Sequence, residues 1–264
     1  MTWLRRNLML ILGLLVLVYT FIPIGVVALM SFNEPKSEQS KLYTFNEFTL
    51  DNWVNLCEPE GLCSSLVTSI EIGLLATLVA TVLGTLAAFA LVRYDFYGRS
   101  AGNLLIFLPM AAPEVVLGSS LLAMFVAANL SGQLGFWTIL IAHIMFCLSF
   151  VVVTVRARLA GMSDNLEQAA MDLYATPTQT FWKVTFPLVF PGILGAALLS
   201  FSLSFDDFII TNFNSGTTTT FPMFVWGATK RSVPMQINVV GTIMILVSLA
   251  IVLAGQMRHR RASA

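Results

Sequence analysis

Six stretches of this 264-residue chain, at about 8–29, 65–92, 103–126, 137–155, 188–204 and 237–256, are apolar and long enough to cross a bilayer. A membrane-spanning helix needs about 20 mainly apolar residues, and each run meets that length or approaches it. Backbone N–H and C=O groups in lipid must be satisfied within the chain, so runs of this kind fold as helices. The composition agrees: 57% of residues are hydrophobic and only 11% are charged, against roughly 25% charged in soluble domains. The spans consume most of the chain. Residues 1–264 are therefore expected to form one all-α, polytopic transmembrane domain. The first run follows Trp3, Arg5 and Arg6, as in a secretory signal. It outlasts the usual 7–15-residue signal core, and no A-x-A-like site follows it, so it reads as a retained span.

Lysine and arginine distribute unequally between alternate loops. One side carries ten, including Arg93, Arg99, Arg156, Arg158 and Lys183. The other carries four: Lys36, Lys41, Lys230 and Arg231. The positive-inside rule then places both termini, and the segment 158–187, in the cytoplasm.

That segment is the longest polar interruption on the inner side. Asp164 with Glu167, and Thr176-Pro177 with Gln179, each have the spacing of a helix-capping box, the second with proline at the first helical position. Two short helices meeting near 174–176 are predicted. Such an elbow is either a grip for a partner protein or a connector lying on the membrane surface.

No G-x-x-x-x-G-K-[ST] occurs, so ATP binding by a P-loop is excluded. Neither a catalytic site nor a metal cluster is expected, since the only histidines are His143 and His259. His143, inside the fourth run, reads as a histidine bonded to a neighbouring helix, with a functional role as the alternative. Ser119 and Ser120 lack a G-x-S-x-G context and read as helix-packing residues. Cys57 and Cys63 flank a short outer loop, where the spacing fits a disulfide and also two free thiols.

Four carboxylates lie within or at the rim of spans: Glu71, Glu114, Asp206 and Asp207. Placing an ionised carboxylate at mid-membrane costs about 2.5–3.5 kcal/mol on insertion scales, so these groups need a cavity, a partner or a cation. Glu114 is expected near mid-membrane, beside an irregular turn made by Pro109 and Pro113. Asp206 and Asp207 are expected at the outer mouth and Glu71 in the outer half of its span. No lysine or arginine lies deep in a span. The acids therefore fit a path for a cationic solute, or else each is protonated or bonded to Asn, Ser or Thr. Trp226 and nearby phenylalanines can add cation–π contacts or act as interfacial anchors.

The elbow resembles the EAA loop of ABC importer permeases. Gln168-Ala169-Ala170 stands at the Glu-Ala-Ala positions, Tyr174 at the glycine, and Val184-x-Phe186-Pro187 at the end. Tyrosine lacks glycine's freedom at positive φ, so a differently built turn is expected there. Four longer stretches, FIPIGVVALMSFN, LGFWTILIAHIMFCLSFVVVTVRARL, AAMDLYAT and SFDDFIITNF, are similar to the PotC-type permease subunits of spermidine/putrescine importers. This resemblance implies a type I ABC importer permease fold of six transmembrane helices, with a coupling elbow between helices 4 and 5. It also implies a bacterial inner-membrane location and no cofactor on this chain, with ATP and Mg hydrolysed by partner ATPase subunits. A second, different permease chain and an extracytoplasmic binding protein complete the assembly; membrane lipid surrounds it, and no nucleic acid is involved. Carried over, Asp164, Glu167, Gln168, Ala169, Ala170, Tyr174, Phe186 and Pro187 form the ATPase contact. Glu71, Glu114, Asp206, Asp207 and Trp226 line the solute path. The alternatives are the same machine carrying another small solute and, from a different class, an ion-driven secondary transporter.

Overall fold

The computed structural model describes residues 2–37, 44–163, 165–230 and 232–262. In chain order its elements are α1 (Thr2–Met30), β1 (Asn33–Glu34), β2 (Glu47–Phe48), α2 (Asp51–Val54), α3 (Leu62–Arg93), α4 (Arg99–Ala111), α5 (Glu114–Ala127), α6 (Phe136–Ala160), α7 (Asn165–Asp172), α8 (Pro177–Thr180), α9 (Phe186–Asp206), α10 (Ile209–Asn214), α11 (Phe221–Thr229) and α12 (Gln236–Ala262). The chain divides into two compact units, 1–63 with 225–264, and 64–224.

In the first unit α1 packs along α12, and a Cβ on Gly241 would stand 3.3 Å from Val27. The best apolar window of α1 has no buried residue. Between α1 and α2 a two-stranded antiparallel ribbon pairs Asn33 with Phe48 and Glu34 with Glu47.

The second unit is built around α6. Its helix is apolar on nearly every side, as a helix enclosed over most of its length must be, with Trp137 and Ile141 left exposed. Ala142, Phe146, Cys147, Val151, Val152, Val155 and Leu159 are all buried in one cluster with side chains of α3, α5, α9 and α10. The most extensive contact is α6 on α9. Close approach depends on small residues: a Cβ on Gly84 of α3 would stand 2.7 Å from Val151 of α6.

Two predicted spans need correction. The third is not one helix, because α4 and α5 meet at 111° across Ala112–Pro113. Proline disfavours helical backbone in the residue before it, and Ala112 is extended, with ψ 138°. Pro109 adds a missing N–H one turn earlier. Five continuous helices among the described residues have the length and hydropathy of spans, and this bent pair makes up to six. The fifth span starts well before residue 188, since helix runs on from Pro177 to Asp206. Pro187 does not break it. The preceding 181–185 is a π-turn, in which the Phe186 N–H reaches back five residues to the Phe181 carbonyl.

Gly84→Ala is expected to destabilise the chain by about 1–3 kcal/mol, the usual cost of overpacking. Gly13→Ala, where a Cβ would meet nothing within 4 Å, should be neutral or stabilising. Thermal unfolding of the two purified variants in lipid nanodiscs checks the contrast, and equal melting temperatures would refute it.

Candidate functional site

Two groups of residues carry chemistry in the second unit. The elbow comes first. Thr176 caps α8 as a full box: its hydroxyl accepts from Gln179 N at 3.3 Å, and Gln179 Oε1 accepts from Thr176 N at 3.0 Å. Asp164, the predicted cap of the first arm, lies outside the described residues. Its expected box partner Glu167 turns inward instead. Glu167 Oε1 accepts from Arg93 Nη2 at 2.7 Å and from Thr185 Oγ1 at 2.7 Å. One half-buried carboxylate thus joins the C-terminus of α3, the elbow helix α7 and the π-turn that leads into α9. Arg158 adds a second tie, donating from Nε to the Leu188 carbonyl at 3.0 Å, with its stem over Gly192.

The turn between α7 and α8 differs from expectation. Tyr174 sits at φ 62°, in the left-handed region where glycine is usual. The Ala175 N–H bonds the Ala170 carbonyl at 3.1 Å and the Tyr174 N–H bonds Met171 at 2.9 Å. Those two bonds constitute a Schellman helix end. The tyrosine therefore keeps the glycine-type turn rather than rebuilding it, at a cost of about 1–2 kcal/mol. Its side chain is almost wholly exposed; Gln168, Ala169 and Pro187 are exposed too, while Ala170 and Phe186 are half-buried.

The second group is the set of acids. Glu71 on α3, Glu114 at the first position of α5 and Asp206 at the end of α9 are all exposed. Asp207 is not. Only one residue further on, the chain leaves the helix with ψ 124° and turns the Asp207 carboxylate inward. It accepts from Thr211 N at 2.8 Å, Thr211 Oγ1 at 2.8 Å and Ile210 N at 3.4 Å, which caps α10. His143, absent from the predicted site, completes the cluster. Its Nδ1 lies 2.7 Å from Ser204 Oγ and its Nε2 lies 2.9 Å from Thr211 Oγ1 and 3.4 Å from Asp207 Oδ2. An ionised carboxylate only accepts, so Thr211 donates to Asp207, His143 Nε2–H donates to Thr211, and Ser204 donates to Nδ1. Ser204 is 4% exposed and His143 1%. This chain of bonds cannot meet a substrate as a hydrolytic triad would; it fastens α6, α9 and α10 together.

The tie at Glu167 had one signal in the sequence, a basic residue in the last turn of α3. His143 was expected to bond a neighbouring helix and does, but nothing in the sequence named its partners, which lie 61 and 68 positions away.

In the first unit Cys57 and Cys63 are joined by a disulfide, with Cα atoms 5.3 Å apart. Lys36 pairs with Glu47 at 2.8 Å, and that hydrogen bond and the facing charge raise the lysine above its ordinary value and lower the glutamate. Trp226, half exposed, carries Lys230 over its ring at 5.3 Å.

Comparison with known proteins adds independent findings. Residues 80–260 match the family described as binding-protein-dependent transport system inner membrane component. The chain is 35% identical over 244 residues to the spermidine/putrescine transport system permease protein PotC of Haemophilus influenzae, covering 92% of this chain and 93% of that one. It is 36% identical over 241 residues to the putrescine transport system permease protein PotI of Escherichia coli, covering 88% and 84%. Among solved structures, a chain of a bacterial ABC transporter that imports the acidic polysaccharide alginate superposes with a TM-score of 0.62 at 16% identity, covering 97% of this chain and 96% of that one. At that identity the superposition speaks for the fold alone.

Tyr174→Gly should stabilise the elbow by about 1 kcal/mol, by relieving the left-handed strain. Tyr174→Ile should destabilise it, since a β-branched residue tolerates positive φ least. Hydrogen-exchange protection of residues 165–180 measures both, and the opposite order would refute the turn assignment.

Proposed function

The chain belongs to the family of binding-protein-dependent transport system inner membrane components, the permease subunits of ABC transporters, and from that premise we propose that it passes polyamines into the cell. It is a multi-pass membrane protein of the PotC type. The observation that carries the cargo is the likeness over nine-tenths of the chain to a permease named for spermidine and putrescine. The acids add physical support. Glu71, Glu114 and Asp206 are exposed carboxylates on three apolar helices, and a carboxylate at such a place attracts a cation at modest strength, as a transport path requires. Trp226 can add a cation–π contact. Asp207, enclosed and fully bonded, is better read as the fastening that presents Asp206.

The motor is borrowed. On this reading two partner ATPases hydrolyse ATP with Mg, a second permease of different sequence encloses the path, and an extracytoplasmic binding protein delivers the solute. Residues 1–264 act as one permease domain, with both termini and the elbow in the cytoplasm. The exposed face of Gln168, Ala169 and Tyr174 meets the ATPase, and Phe186 and Pro187 form its hinge into α9. The ion pair of Glu167 with Arg93 then passes the elbow's movement to α3 as well as to α9. Rigid-body motion of a short attached helix is a common way to switch a membrane bundle. The alternative with the same machine, another small cation, fits the acids equally and differs only in the cargo tested.

Uptake of labelled spermidine and putrescine should fall on deletion of the gene, and Glu114→Gln should lower it at limiting solute by about tenfold, the worth of one charge-assisted contact. Normal uptake on deletion, in cells without a redundant importer, would remove polyamines as the cargo. Ala169→Glu should abolish copurification with the ATPase and uptake together while the chain still inserts. Undisturbed copurification and coupled hydrolysis would refute the elbow contact.

A further inference from the structure

The corner at which α9 gives way to α10 is held by side chains, and it divides the second unit into two packed pairs of helices. The first pair is α6 with α9, which share the most extensive contact in the chain. Both lead to the elbow: α6 ends at Ala160, shortly before α7, and helix runs on from Pro177 to Asp206. The second pair is α5 with α10, the next most extensive contact. These two approach closely, since a Cβ on Gly118 of α5 would stand 2.9 Å from the Phe213 ring and 3.2 Å from Ile210 Cα. Asn214 Nδ2 also donates to the Gly118 carbonyl at 3.3 Å. This pair carries Glu114, at the first position of α5.

The backbone that joins the pairs at this corner is bent. Asp207 leaves α9 with ψ 124°, and α10 begins only at Ile209. A link of that kind can act as a hinge, because a few φ/ψ angles at the end of an element absorb a large rotation. Two ties from α6 oppose that rotation. At one, His143 Nε2–H donates to Thr211 of α10 while Nδ1 accepts from Ser204 of α9. At the other, Thr138 Oγ1 donates to the Asn214 carbonyl at 2.7 Å. His143, Ser204, Thr211 and Thr138 are all buried. Replacing bonded polar groups by apolar ones of the same shape is often neutral or stabilising, so stability alone does not call for this histidine. Directed bonds do something further. They hold one mutual orientation, because a buried donor or acceptor that turns away from its partner goes unsatisfied.

We propose that His143 is a positioning residue for transport: it locks the α5–α10 pair to the α6–α9 pair, so that movement begun at the elbow reaches the half-span bearing Glu114. The inference rests on the reading of the elbow as the contact with an ATPase, and it is independent of the cargo. Without the lock the driven pair turns about Asp207, the pair bearing Glu114 stays behind, and hydrolysis no longer yields uptake.

The test uses the transporter assembled with its ATPase and second permease. Spin labels at Val116→Cys of α5 and Leu198→Cys of α9, both exposed positions, report one pair against the other. Cys147 is buried and the other two cysteines are joined, so the labels are specific. With His143 present the distance should be single and unchanged on adding a non-hydrolysable ATP analogue, and His143→Leu should make it shift or split. In proteoliposomes His143→Leu should lower the maximal uptake rate at least about tenfold, with the half-saturating concentration unchanged and ATP hydrolysis retained. His143→Gln, whose amide can still donate to Thr211, should keep the rate within about threefold of the parent. If His143→Leu fails to assemble, Ser204→Ala, which removes one hydroxyl, carries the test with about threefold loss of maximal rate. A parent distance that changes with nucleotide, an unchanged rate in His143→Leu, equal loss in His143→Gln, or a raised half-saturating concentration at full maximal rate would overturn the proposal. Failure of the elbow reading shows separately, as Ala169→Glu that still copurifies with the ATPase, and a wrong cargo shows as no uptake by the parent.

Discussion

Wherever a helix stops inside an apolar layer it leaves N–H and C=O groups that lipid cannot satisfy, at several kcal/mol each. The second unit has such stops at the ends of α9 and α10 and the start of α6, and its shape depends on the side chains that cover them. Asp207 takes the first free N–H groups of α10. Asn214, at the other end of that short helix, donates to the Gly118 carbonyl of α5. Thr138 bonds the Asn214 carbonyl at 2.7 Å and receives the Gly135 N–H at 2.8 Å, which covers the start of α6. His143 then links Ser204 of α9 to this set through Thr211. The polar groups are few, buried and bonded to one another, apart from Asn214 Oδ1, which has no partner among the described residues.

The same economy explains why adjacent acids have different fates. Asp206 ends a helix and faces out; Asp207 begins the turn and faces in. Asp206 stays exposed at the end of α9 while its neighbour holds the corner. At the elbow the logic repeats: Glu167 is used up between Arg93 and Thr185, while its neighbours Gln168 and Ala169 stay exposed.

What was legible in the sequence was local. Hydropathy over 20 residues located the spans, and the Thr176–Gln179 box appears bond for bond, because both depend on neighbours in the chain. Pro113 announced an irregularity but not its size; the angle between α4 and α5 is set by what each half packs against. Residues 177–187 read as polar and were separated from the fifth span, whereas a π-turn carries the helix through them. Tyr174 shows the reverse error: propensity argued against a left-handed tyrosine, and the two bonds of the helix end outweigh about 1–2 kcal/mol of strain. His143 was legible as a histidine bonded to a neighbouring helix, but its partners Ser204 and Thr211 were not, since they lie 61 and 68 residues away and nothing in the period or composition of one segment points to the other.

The exposure of α1 closes the argument about surroundings. Its best window has hydropathy 2.7 and no buried residue, whereas the window of α6 is 61% buried. A helix as apolar as a core helix, yet uncovered along its length, is unstable against water and at home only against lipid or another apolar helix. Lipid tails give no hydrophobic drive for one helix to leave them for another, so association there rests on close packing of small residues and on interhelical hydrogen bonds. On α1 a Cβ at either Gly13 or Gly25 would meet nothing within 4 Å. Twelve residues apart, and so about 120° apart round the helix, those two glycines leave separate shallow notches that no described residue fills. Each is a place where a lipid chain or another helix can approach the backbone of α1 closely.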